Sequence, residues 1–172
     1  MDRDARAGFA EFVGARGQAL QRTAYLLTSD WALAEDLVQT SLARAYPRWQ
    51  WISGDDPEAY VRRVLVNTWS SWWRRRWRGE VSTGELPEHA APDAFASADR
   101  RGALRDALAR LPKRQRAIVV LRYHEDMSEA QVADLLGISV GTVKSQASRA
   151  LAKLRDDAAL TGYGMALPLG GD

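Results

Sequence analysis

The stretch from Ser128 to Arg155, SEAQVADLLGISVGTVKSQASRALAKLR, constrains the fold more than any other. Ser128 is followed three residues later by Gln131, which predicts a capping box at the start of a helix. Val132, Ala133, Leu135 and Leu136 supply that helix with an inner face. Gly137 stands where a left-handed residue would end it. Ile138 then packs under a turn, and Ser139 is a natural N-cap for a second helix. In the second helix Val140, Val143, Ala147, Ala150, Leu151 and Leu154 recur at helical spacing. The opposite face carries Lys144, Ser145, Ser148 and Arg149, with Lys153 one turn on. The pattern is that of a helix-turn-helix. Short polar and basic side chains on an exposed helix face suit a DNA major groove, where phosphates and base edges call for donors. An ordinary helical hairpin with a solvated basic face would share the same pattern.

Upstream the chain is helical as well, and an all-α fold of two small domains is expected. Phe9, Phe12, Val13, Leu20, Ala24 and Leu27 suit one amphipathic helix. Thr28-Ser29-Asp30 breaks it and offers N-caps for the next. Ala34, Leu37, Val38, Ser41, Leu42 and Ala45 form the buried stripe of a second helix, which Pro47 should stop. Trp49, Trp51, Ile52 and Gly54 read as an aromatic-rich loop. Asp56-Pro57-Glu58 opens a third helix with Tyr60, Val61, Val64, Leu65, Thr68 and Trp72 inward, fading within Arg74 to Arg78. After a linker, Leu104, Leu108 and Leu111 mark a helix ended by Pro112, and Pro112 to Tyr123 is helical again.

Charge divides the chain more sharply than its net +2 suggests. From Pro57 to Arg78 six arginines face the single acid Glu58, a net +5. From Gly79 to Asp99 there are five acids and no lysine or arginine. From Val140 to Arg155 there are four basic residues and no acid. Two basic blocks around an acidic connector mean that the whole-chain charge hides the electrostatic design. The connector is rich in Gly, Pro, Ala and Ser and cannot bury a core of its own. The boundaries expected are therefore 7–78 for the first domain, 79–99 for a flexible acidic linker, 100–160 for the second domain and 161–172 for a frayed tail.

Asn67 to Arg78, NTWSSWWRRRWR, holds four of the seven tryptophans among arginines. Trp72 is expected in the core. Trp73 and Trp77, one turn apart, are expected at the surface. With Asn67, Arg74, Arg75 and Arg76 they would form a surface for unpaired or distorted DNA, arginines on phosphates and rings on bases. Wholesale packing of the tryptophans beside a solvated arginine face is the plainer alternative. A basic membrane helix is a third reading, for which Asn67, Thr68, Ser70 and Ser71 make a poor apolar face. Glu35 and Asp36 are either a first-turn pair favoured by the helix dipole or a docking surface for a basic partner.

The chain has no cysteine, hence no disulfide and no thiolate metal site. No run approaches the roughly 18–20 apolar residues of a membrane span, and MDRDARAGFAEF lacks the apolar core of a signal peptide. A cytoplasmic protein without membrane insertion is expected. The two histidines, His89 and His124, suggest neither catalysis nor metal binding, because consecutive residues such as His124-Glu125-Asp126 rarely converge on one atom. No cofactor, no metal and no enzymatic activity are expected.

Three segments, AEDLVQTSLARAY (Ala34 to Tyr46), PEAYVRRVLVNTW (Pro57 to Trp69) and LPKRQRAIVVLRYHEDMSEAQVADLLGISVGTVKSQASRALAKLR (Leu111 to Arg155), resemble bacterial sigma-70-family sigma factors. Their order and spacing match the extracytoplasmic-function branch, and QASRALAKLR is similar to its SigE-like actinobacterial subgroup. The resemblance runs from about Phe9 to Leu160. It implies sigma regions 2 and 4 alone, and an RNA polymerase sigma factor that directs core enzyme to promoters and opens the DNA. By that resemblance Glu35, Asp36, Leu37 and Gln39 dock on the beta-prime clamp helices of core RNA polymerase. Asn67 and the following Trp/Arg run read and open the minus-ten element of promoter DNA. Lys144, Ser145, Ser148 and Arg149 face the minus-thirty-five element, and Ile118 to Arg122 meets the beta flap. The acidic linker lies near the RNA exit channel. Gln146 stands where many relatives carry arginine. The resemblance leaves room for an anti-sigma factor as a further partner. The alternative is a stand-alone helix-turn-helix regulator, which would need a dimerisation helix to read two half-sites; none is evident.

Overall fold

A computed structural model of the chain describes residues 3–54, 56–79, 100–157 and 160, without the side chains of 77–79, 100 and 101. The expected linker from residue 80 on, the tail and the Trp77 side chain lie outside the described residues, while Gly79 belongs to a helix. Two compact units divide the chain, residues 1–89 and 90–172. Every regular element among the described residues is helical.

In the first unit α1 (Arg3–Thr28), α2 (Trp31–Ala45) and α4 (Pro57–Gly79) pack against one another. Phe12, Leu20, Ala24 and Leu27 give α1 its buried stripe. All six expected residues of the α2 stripe are buried: Ala34, Leu37, Val38, Ser41, Leu42 and Ala45. The caps are local chemistry. Asp30 Oδ1 accepts the Leu33 N–H at 3.1 Å, and Asp56 Oδ1 accepts the Ala59 N–H at 3.0 Å. Each satisfies a donor that a helix start leaves without an intrahelical partner, worth about 1 kcal/mol. Ser29, at φ +50, makes the reversal between α1 and α2.

Three expectations are corrected here. Pro47 does not stop helical backbone; it sits in a 3₁₀ turn, Tyr46–Arg48, that runs on into α3 (Trp49–Ile52). Proline has no N–H to lose at the start of such a turn, so the presumed aromatic loop is helical. Trp49 is buried, with Phe9 at 5.1 Å edge-on and Phe12 at 5.0 Å between ring centroids. Secondly, the tryptophan that α4 buries is Trp69, 4% exposed, while Trp72 is half-buried. Tyr60 and Val64 are also only half-buried, and Val66 and Ser70 are buried instead. Thirdly, α4 does not fade among the arginines but continues to Gly79.

In the second unit α5 (Arg100–Arg110) is joined to α6 (Lys113–Val119) through Leu111 and Pro112. The Arg116 guanidinium donates to the Ala109 carbonyl at 3.3 Å across that corner. The helix expected to reach Tyr123 is regular only to Val119, then widens into a π turn, Val120–His124. Glu125 N–H reaches back to the Val120 carbonyl at 3.0 Å, and Arg122 donates to the Met127 carbonyl. Asp126, at φ +55, turns the chain into α7 (Glu129–Leu136), which packs with α6's partner α8 (Val140–Asp156).

The helix-turn-helix follows its sequence closely. Ser128 Oγ accepts the Gln131 N–H at 3.1 Å, and Gln131 Oε1 accepts the Ser128 N–H at 2.8 Å, completing the capping box. Gly137 is left-handed at φ +68, and the Ile138 N–H reaches the Ala133 carbonyl at 3.0 Å. Ser139 Oγ accepts the Thr142 N–H at 3.1 Å. Val143, Ala147, Ala150 and Leu154 are buried, as their spacing predicts. Val140, the first residue of α8, is not; it is 40% exposed. Leu135 and Leu151 are half-buried.

Candidate protein and nucleic-acid interfaces

Glu35, Asp36 and Gln39 are exposed on α2. Exposed alanines stand one turn away on either side, Ala32 before the pair and Ala43 after Gln39. The face is therefore acidic with low relief, open to close approach by a basic helix. The first-turn explanation for the acid pair fails. The helix begins at Trp31, its first turn holds no acid, and the dipole effect fades within that turn. Leu37 departs from the expected docking set: it is 0% exposed and belongs to the core between the helices. It holds the acidic face in place and presents no surface. The spacing of apolar residues puts Leu37 on the buried stripe as well, and the two assignments exclude each other.

On α4 the exposed residues Arg63, Asn67 and Arg74 fall at steps of four and seven, one line along the helix. Arg74, Arg75 and Arg76 are all exposed. Arg75 donates to Ser71 Oγ at 3.2 Å. Trp73 is half-buried with its ring 5.1 Å from that of Trp69, so one tryptophan of the core carries another towards the surface. Sequence reasoning counts Arg63 only as charge; its step of four to Asn67 is the signal that could have found it. Trp51, hidden in the presumed loop, is 71% exposed on α3, two residues from buried Trp49.

On α8 the predicted residues Lys144, Ser145, Ser148 and Arg149 are all exposed. Lys144 lies 3.7 Å from the Glu129 carboxylate of α7, and Ser145 Oγ donates to the Thr142 carbonyl at 3.2 Å. Both contacts are at the surface and cheap to exchange for phosphate or base contacts. Gln146 turns the other way. Its Oε1 accepts from Gln115 Nε2 at 3.1 Å, a bond to α6 that fixes how α8 sits on its support. Ile118 to Leu121 is wholly buried, leaving Arg122, Tyr123 and the adjoining turn as the part of that segment open to a partner.

Among the described residues, no helix is long and apolar enough to cross a membrane. Nor is any group of three or more His, Asp or Glu placed to hold a metal.

Comparison with known proteins identifies the family of the chain. The family model described as Sigma-70 region 2 matches residues 12–79, and that described as Sigma-70, region 4 matches residues 101–154. The chain is 47% identical over 150 residues to the RNA polymerase sigma-E factor of Streptomyces coelicolor, covering 87% of this chain and 85% of that one. It is 35% identical over 143 residues to the ECF RNA polymerase sigma factor SigL of Mycobacterium tuberculosis, covering 79% and 80%. Among solved structures it is similar to the sigma factor RpoE in complex with the anti-sigma factor NepR from Bartonella quintana. That match has a TM-score of 0.54 and 27% identity, over 86% of this chain and 94% of that chain. The two region matches, together with a 35% identical ECF relative covered over four fifths of its length, show that the chain belongs to the extracytoplasmic-function branch of the sigma-70 family of RNA polymerase sigma factors.

Proposed function

We propose that this sigma factor divides its work between its two units, with residues 7–78 docking on core RNA polymerase and opening the minus-ten element and residues 100–160 reading the minus-thirty-five element. Residues 79–99 serve as the acidic tether and 161–172 as a tail. Glu35, Asp36 and Gln39 meet the basic side of the beta-prime clamp helices. Asn67, Trp73 and Arg74 to Arg76, with Trp77 and with Arg63 added, hold the displaced strand. Lys144, Ser145, Ser148 and Arg149 enter the major groove, and the segment around Arg122 meets the beta flap. The protein works in the cytoplasm with polymerase and catalyses nothing itself. The relative solved with an anti-sigma factor supports a regulatory partner of that kind here.

One observation carries this reading: a single small bundle presents an acid pair on α2, which its helix dipole does not explain, and an arginine run on α4. Surfaces of opposite sign suit two partners of opposite sign, a basic protein helix and DNA. Two weak DNA-binding units on one tether gain affinity once polymerase holds both. The stand-alone regulator is not favoured, since region 2 has no part in that reading.

The test is run-off transcription with core polymerase, combined with permanganate footprinting of unpaired thymines. The triple variant Arg74→Ala/Arg75→Ala/Arg76→Ala should bind core normally and open promoter DNA poorly. The removed charges hold DNA strands, while the acidic docking face is untouched. Normal thymine reactivity at physiological salt would make the arginine run a solvated surface.

A further inference from the structure

Arg44 is the last-turn basic residue of α2, and its guanidinium reaches across to α4. Its Nη1 donates to Thr68 Oγ1 at 3.0 Å. Thr68 is wholly buried, and its own hydroxyl donates to the Val64 carbonyl at 2.7 Å. The oxygen therefore has its proton committed and a lone pair aimed at Arg44. One turn further along α4, Arg75 Nη2 donates to Ser71 Oγ in the same manner, at 3.2 Å. Thr68 and Ser71 are three residues apart, about 4.5 Å along the helix axis. Two guanidiniums from two helices are thus held beside successive hydroxyls on one edge of α4. Both arginines are exposed. Among the described residues neither has a carboxylate partner.

A guanidinium has five N–H donors in a planar fork, and the hydroxyl contact uses only part of that capacity. The remaining donors are oriented in advance, so less side-chain entropy is lost on meeting an oxyanion. Nine residues separate Arg44 from Glu35, which places them about 180° apart around α2. Arg44 therefore lies opposite Glu35, and about 80° around the helix from Asp36, eight positions before it.

We propose that Arg44 and Arg75 form a two-guanidinium clamp for neighbouring phosphates of the displaced DNA strand, with Thr68 and Ser71 as its positioning residues. The proposal rests on the reading of α4 as the strand-holding face and adds α2 to it. A helix that docks on polymerase by its acid pair would grip DNA from its last turn, coupling the two events through a rigid element.

The test uses holoenzyme reconstituted with the full chain. The DNA is a premelted duplex selected for binding by the unaltered holoenzyme, titrated over a series of salt concentrations. For each single-strand phosphate that the protein ceases to neutralise, the slope of log affinity against log salt falls by about 0.7. Arg44→Ala should lower the slope by that amount and weaken binding several-fold, with core co-purification unchanged. Arg44→Lys should restore most of the slope, since the charge returns without the fork. The Arg74→Ala/Arg75→Ala/Arg76→Ala variant serves as the reference for the α4 face. An unchanged slope for Arg44→Ala, with a lowered slope for the triple variant, would overturn the clamp and leave the α4 reading intact. If the triple variant also kept the full slope, the α4 reading would fail with it. A fall in melting temperature for Arg44→Ala at constant slope would make the Thr68 contact a structural tie only, and would equally overturn the proposal.

Discussion

Docking and folding meet at adjacent positions on α2, and one pair of substitutions separates them. Leu37 has no exposed surface, so Leu37→Ala removes buried methyl groups and leaves a cavity. Such changes cost about 2–5 kcal/mol, the upper end where neighbours cannot collapse. Leu37 lies on a helix packed against both α1 and α4, so collapse from either side is restrained. In a domain of this size each 1 kcal/mol lowers the melting temperature by about 4–8 °C, so a loss of roughly 8–40 °C is expected. Asp36 is exposed beyond the first turn, and Asp36→Arg should leave stability within about 0.5 kcal/mol. Its effect belongs to the partner. A like-charge contact with a basic helix costs several kcal/mol, so affinity for core polymerase should fall at least tenfold, about 1.4 kcal/mol. The assay pairs thermal melting by far-ultraviolet circular dichroism with co-purification on tagged core enzyme. Undiminished capture of Asp36→Arg would refute the acidic docking face. An unshifted melting curve for Leu37→Ala would refute the packing argument that removes Leu37 from it.

The recognition helix gives two more expectations. With Lys144→Ala, holoenzyme should bind upstream promoter DNA more weakly on all sequences, with a salt slope lower by about 1, measured by fluorescence anisotropy. Arg149→Ala should cost about 1–3 kcal/mol and relax preference at one base pair if its fork reads a base, which selection from a randomised upstream element would show. At the turn, Gly137→Ala meets no neighbouring atom within 4 Å, so its cost comes from the left-handed backbone alone. About 1–2 kcal/mol should appear as a lower melting temperature.

Elements whose ends are set by nearest neighbours are legible in the amino-acid sequence. The capping box at Ser128, the left-handed Gly137, the N-caps Asp30, Asp56 and Ser139, and the six-residue stripe of α2 all stand as their sequence predicts. The caps and Gly137 depend on contacts within about one turn, and the α2 stripe on an apolar spacing clear enough to name the face that its neighbours cover. The exposed face of α8 is legible for the same reason, being the complement of a clear apolar stripe. Trp69 against Trp72 is not. The two rings lie only about 60° apart on α4, and either completes a plausible stripe. Which one is covered depends on where α1 and α2 lie against α4, a quantity no local spacing contains. The same holds for Leu37, where a docking motif and a buried stripe share one residue and only packing decides between them. Nor could spacing reveal that Gln146 bonds inward to Gln115, or that Arg44 reaches Thr68, since these pairs are 31 and 24 residues apart. Local sequence determined where most helices begin and end and which residue types each presents. The tertiary structure decided which of those residues remain free to meet a partner, because burial is a property of two surfaces and a helix by itself supplies only one.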